Sequence, residues 1–69
     1  MDLKKTGNFI SSVRKVRGMT QKELAGRLQV SDRAVSKWEN GTSDPSTSNL
    51  LALAKLFGIS AEELLRSVE

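Results

Sequence analysis

Apolar positions along this chain return in a helical rhythm. Leu50, Leu53, Ala54 and Phe57 fall at i, i+3, i+4 and i+7, one face of an amphipathic helix. Leu24, Ala25 and Leu28 repeat the pattern over a shorter span, as do Phe9, Ile10 and Val13. The pattern predicts an all-α chain, a compact five-helix bundle with no strand. Helix 1 is expected from about Thr6 to Arg17, helix 2 over 21–28 and helix 3 over 32–40. Helix 4 follows the loop Thr42–Pro45, and helix 5 runs from about Ala61 to Ser67 with Ala61, Leu64 and Leu65 facing inward.

Three helix starts are written in side-chain chemistry. Thr20 with Glu23, and Ser60 with Glu63, are capping boxes: the hydroxyl accepts from a free N–H and the glutamate reaches back to the cap residue. Ser31 is a plain N-cap. Met19 with Leu24, Val30 with Val35 and Ile59 with Leu64 supply the matching hydrophobic staples. Gly18, Gly41 and Gly58 follow helices 1, 3 and 4, where a residue of left-handed backbone often ends a helix.

With 69 residues the chain makes one domain, residues 1–69. It has no cysteine and no histidine, so it lacks disulfides, thiolate metal ligands and the commonest general base. An enzyme is therefore not expected, nor any metal or other cofactor. No apolar run reaches the roughly 20 residues of a membrane span, and MDLKK is not a signal peptide, so a cytoplasmic protein is expected. The net charge of +3 conceals an asymmetry. Residues 1–37 hold nine Lys or Arg against three acids, and residues 38–69 hold two against five. Such a basic half favours a polyanion, although charge alone also fits a merely solvated surface.

Helices 2 and 3, from Met19 to Gly41, form two short helices joined by a tight turn. Helix 3 is apolar on one face and carries Arg33, Ser36, Lys37 and Asn40 on the other, as a helix held in the major groove of DNA would. The blocks TQKELA at 20–25, VSDRAVSKWENG at 30–41 and PSTSNLLALAKLFGIS at 45–60 occur in that order. In sequence and spacing they resemble the phage-repressor helix-turn-helix family, the Cro/cI-like or XRE group, over about Gly7 to Leu65. The resemblance implies a lambda-repressor-like DNA-binding domain that binds operator DNA as a two-fold dimer and regulates transcription.

Carried over residue by residue, the resemblance assigns base reading to Asp32, Arg33, Ser36 and Lys37. Arg33 is the leading candidate, because a guanidinium donates twice to guanine O6 and N7. Lys37 can do the same less rigidly or reach a phosphate, and Ser36 fits either role. Asp32 either accepts from cytosine N4 or favours the positive end of helix 3. Gln21, where the family's glutamine bonds a phosphate and braces the start of the recognition helix, is read as a phosphate contact; its other reading is an ordinary first helical residue. Ser31 combines capping with a possible phosphate contact. Asn40, Thr42 and Ser43 fall where relatives touch the sugar–phosphate backbone through main-chain and short polar groups, and plain turn chemistry explains them nearly as well. Lys15, Arg17, Lys22 and Arg27 are expected to add long-range attraction.

Other positions read as structural. Val35 and Trp38 share the inward face of helix 3, so Trp38 is core rather than a base-stacking residue. Arg14 and Glu39 match a family ion pair linking helix 1 to the end of helix 3. Gln29 replaces the glycine common after helix 2, Gly26 lies inside helix 2, and Thr47 replaces a frequent apolar residue. Leu51, Leu56 and Val68 are a possible self-complementary dimer patch, or else scattered surface apolars. The leading expectation is a sequence-specific regulator, a repressor, homodimeric at least on an inverted-repeat double-stranded DNA operator, with no membrane role. A protein-interaction module built on the same bundle is the alternative, and the polar face of helix 3 argues against it.

Overall fold

The computed structural model describes residues 2–69 as five helices: α1 (Leu3–Val16), α2 (Gln21–Leu28), α3 (Asp32–Glu39), α4 (Thr47–Phe57) and α5 (Ala61–Val68). Each expected helix is present, and no strand occurs among the described residues. α1 starts three residues earlier than its apolar pattern suggests. The cause is Asp2, whose carboxylate accepts from the N–H groups of Lys4 and Lys5 at 2.9 and 3.1 Å and so caps the helix. That carboxylate is held below its ordinary pKa, chiefly by the Lys5 N–H bond. Both capping boxes form, Ser31 caps α3, and Ser46 supplies a further cap by accepting from the Asn49 N–H.

Four helices stop in the same way. Gly18, Gln29, Gly41 and Gly58 have positive φ. The N–H of the residue after each donates to the carbonyl five positions back: Met19 to Arg14, Val30 to Ala25, Thr42 to Lys37 and Ile59 to Ala54. This is the Schellman closure, which occupies carbonyls the helix would leave open. Gln29 is the single non-glycine among them, at φ 58° and ψ 42°, a conformation costing a side-chain-bearing residue about 1–2 kcal/mol.

The core contains Ile10, Leu24, Ala25, Val35, Trp38, Leu50, Leu53, Ala54, Phe57, Leu64 and Val68. The staple residues Met19, Val30 and Ile59 pack against it. α3 lies against both α2 and α1, and α1 also packs on α5. The α1–α3 contact is tight at Gly7: a Cβ there would sit 2.5 Å from the Trp38 carbonyl oxygen and 2.7 Å from that of Glu39. Two backbones therefore meet where only glycine fits, which the apolar pattern did not reveal.

α5 corrects two expectations. Leu64 and Val68, one turn apart, face the core, whereas Ala61 and Leu65 are exposed. Val68 is 0 % exposed, and its carbonyl accepts from the Asp2 N–H at 3.1 Å, so the start of α1 lies at its end. It is core and cannot belong to a dimer patch. Among the described residues no helix is long and apolar enough to cross a membrane.

Candidate nucleic-acid interface

α3 is split lengthwise by burial. Val35 and Trp38 are sealed in the core, while Asp32, Arg33 and Lys37 are exposed and Ser36 is half-buried. The Ser31 cap sets where the first turn starts, by accepting from the Ala34 N–H at 3.1 Å. The four expected base-reading residues thus share the outward part of one helix. Among the described residues, none of their side chains forms a hydrogen bond or salt bridge, so they are free to meet a partner.

The far end of α3 is held differently. Arg14 of α1 grips Glu39 with two donors, Nε to Oε2 at 2.7 Å and Nη2 to Oε1 at 2.9 Å. Its Nη1 donates to the Met19 carbonyl at 2.8 Å, tying in the turn before α2. Gln21 adds a third donor to the carboxylate, Nε2 to Oε1 at 3.0 Å. The side chains of Arg14 and Glu39 are only 12 % and 7 % exposed. Burial by itself would raise the Glu39 pKa. The hydrogen bonds from Arg14 and Gln21, with the nearby charges of Arg14 and Lys15, outweigh it and hold the carboxyl below its ordinary value. The Arg14 pKa is raised, first by its hydrogen bond to Glu39.

The expected ion pair therefore exists, with an addition. Gln21 joins it, bracing the end of α3 rather than the beginning. The helix pattern could not show this, because the contact depends on how α2 crosses α3.

The loop after α3 needs a correction. The Thr42 and Ser43 N–H groups both turn inward to the Lys37 carbonyl, at 2.9 and 3.3 Å, and are not main-chain donors for a phosphate. Asn40 Oδ1 accepts from the N–H and the hydroxyl of Thr42. What this turn still offers is the Asn40 Nδ2 group and the Ser43 hydroxyl. Arg17, one of the cations expected to add attraction at a distance, is exposed and keeps its charge but is tied down locally. Its Nη2 donates to the Phe57 carbonyl at 2.5 Å and its guanidinium lies 5.9 Å from the centre of the Phe57 ring, so it finishes α4.

The expected apolar patch is dispersed. Val68 is core, and half-buried Leu56 lines a cleft with Arg17, Met19 and Arg27. Leu51 lies about 140° from Leu56 around α4, at about 100° per residue. Leu51 on α4 and Leu65 on α5 are the exposed leucines of these two neighbouring helices, 55 % and 47 % exposed. No group of His, Cys, Asp and Glu suited to a metal ion occurs among the described residues.

A family model described as Helix-turn-helix matches residues 10–64, from the core of α1 to the middle of α5. The chain belongs to this helix-turn-helix family. Two solved structures are similar in architecture to this helix-turn-helix chain. The restriction-modification controller protein C.AhdI of Aeromonas hydrophila is similar at TM-score 0.82 and 32 % identity, over 91 % of this chain and 96 % of that one. The P22 c2 repressor, solved with a synthetic operator, is similar at TM-score 0.80 and 35 % identity, over 90 % and 94 %. Among curated relatives, the HTH-type transcriptional activator BcrR of Enterococcus faecalis is 37 % identical over 60 residues, 87 % of this chain and 29 % of that protein. The chain spans less than half the length of that relative and of the next two, which it covers to 46 % each.

Proposed function

We propose that this helix-turn-helix chain binds double-stranded DNA sequence-specifically and regulates transcription, acting as a repressor. The observation that carries the reading is the lengthwise division of α3, with Val35 and Trp38 in the core and Arg33, Ser36 and Lys37 unpaired on the other side. A helix so held presents its first turn to the major groove. Arg33 reads guanine, Lys37 reads a base or meets a phosphate, and Ser36 and Asp32 complete the reading face. Gln21, Ser31, Asn40 and Ser43 meet the sugar–phosphate backbone through side-chain groups, and Thr42 orients Asn40. A match to the operator-bound P22 c2 repressor over nine-tenths of the chain supports this reading.

One bundle of this size reads only a few base pairs, so two copies act together on an inverted repeat. Their contact uses the α4–α5 side, where Leu51 and Leu65 are exposed. The protein works in the cytoplasm and needs no cofactor.

Selection from random duplex DNA at about 150 mM salt, where non-specific binding is weak, tests the reading. The expected product is an inverted repeat with half-sites about one helical turn apart. Absence of any enriched sequence, with salt-sensitive general binding alone, overturns it for the isolated chain.

A further inference from the structure

We propose that Glu39 is a positioning residue for DNA binding: it aims the Gln21 side-chain amide at a backbone phosphate without touching DNA itself. The inference rests on the DNA-binding reading above. Gln21 is the first residue of α2 and is half-buried. Its Nε2 carries two hydrogens. One is committed to Glu39 Oε1 at 3.0 Å, and the second remains available to an acceptor outside.

A glutamine side chain free in solvent loses rotamer freedom when it binds. One already tethered has lost that freedom on folding and docks with less entropic cost. The tether must also be firm. Glu39 is firm because Arg14 holds both of its oxygens and is itself anchored on the Met19 carbonyl. The arrangement removes an electrostatic objection as well. A bare carboxylate behind Gln21 would repel a phosphate, and the two Arg14 donors neutralise it at 2.7 and 2.9 Å. Arg14, Glu39 and Gln21 therefore form a relay running from α1 through the end of α3 to the start of α2. Any operator contact made by Gln21 has the spatial relation of the two DNA-facing helices built into it.

A mutant cycle on DNA affinity tests this. The probe is a mixed-sequence 20-base-pair duplex at about 50 mM salt, where phosphate contacts dominate. Four proteins are compared: the unaltered chain, Gln21→Ala, the paired Arg14→Leu/Glu39→Leu variant, and the triple variant. Leucine replaces both charges at once so that no buried charge is left alone. Circular dichroism melts report whether each is folded. Gln21→Ala and the paired variant should each weaken binding about tenfold, and the triple variant should be no weaker than either. Losses that multiply to about a hundredfold in the triple variant overturn the relay, as does a paired variant that binds normally.

A second measurement needs no variant. In the free unaltered chain the Gln21 side-chain amide should show a rigid 15N order parameter and slowed hydrogen exchange. A mobile amide overturns the inference even where the paired variant does not fold. If the unaltered chain does not bind the duplex, the DNA-binding reading falls and the relay with it. If it binds and Gln21→Ala has no effect, only the relay falls.

Discussion

The two sides of α3 are built on opposite principles. Asp32, Arg33 and Lys37 stand in solvent with no side-chain partner among the described residues. Glu39, at the end of the same helix, is 7 % exposed in its side chain and accepts from three donors on two other helices. The difference separates setting a helix from using it. Orientation is fixed by buried polar bonds and apolar packing at one edge, while the residues that meet a partner remain uncommitted. A 69-residue chain has little core to spare, and Arg14–Glu39 is the one salt bridge among its described residues.

The fixed end of α3 is the more sensitive to substitution. Glu39→Gln should destabilise the fold by about 3–5 kcal/mol, because it strands the Arg14 charge in a largely buried place. Thermal unfolding followed by circular dichroism reads the loss, and an unchanged melt would show that the pair only decorates the surface. The same site sets a pH dependence. Glu39 has a folded pKa below its unfolded value, so its contribution is fully present above the ordinary glutamate pKa of about 4.3. It disappears as pH falls through the lower folded value, and the Arg14→Leu/Glu39→Leu variant should lose less stability over that acid range.

Gly7→Ala comes next. Its Cβ would press on two main-chain oxygens of α3, and overpacking of this kind costs about 1–3 kcal/mol. A melt equal to that of the unaltered chain would mean that α1 and α3 can separate freely. On the open side, Arg33→Ala should leave the melt unchanged and cost about 1–3 kcal/mol of discrimination at one base pair of the selected operator. An equal loss on all sequences would instead mark Arg33 as a phosphate contact.

The smallest effect lies away from both sides. Gly26 is helical and exposed, with nothing within 4 Å of an added Cβ, so Gly26→Ala should stabilise by about 1 kcal/mol. At about 4–8 °C per kcal/mol for a domain of this size, that is a readily measured rise in Tm. No rise would mean that α2 tolerates glycine through some constraint on the unfolded chain.

Much of this molecule is legible in its sequence because the signals are local. Caps at Thr20, Ser31 and Ser60 and stops at Gly18, Gly41 and Gly58 depend on neighbours within a few residues, and all of them formed. Even Gln29, read as a departure from the common glycine, took the left-handed conformation its place demands. Departures from the local pattern lie mostly where two helices meet. Val68 is core and Leu65 exposed, the reverse of the expectation, because a short amphipathic stripe does not say how far round the helix its neighbours will cover. Arg17 keeps its charge, yet only the fold brings its guanidinium to the Phe57 carbonyl, 40 positions on. The Thr42 and Ser43 N–H groups are a local exception, because the closing turn of α3 uses them itself.

Five helices, their limits to within a few residues and the polar face of α3 follow from local signals, because capping, periodicity and helix-breaking act over one or two turns. Helix packing, not any local pattern, sets α1 against α3 backbone to backbone at Gly7. It alone brought Gln21 to Glu39, residues 18 positions apart whose bond exists only after α2 and α3 have crossed. Those contacts join residues far apart in the chain, and their geometry is set by packing angles between helices that no local pattern encodes.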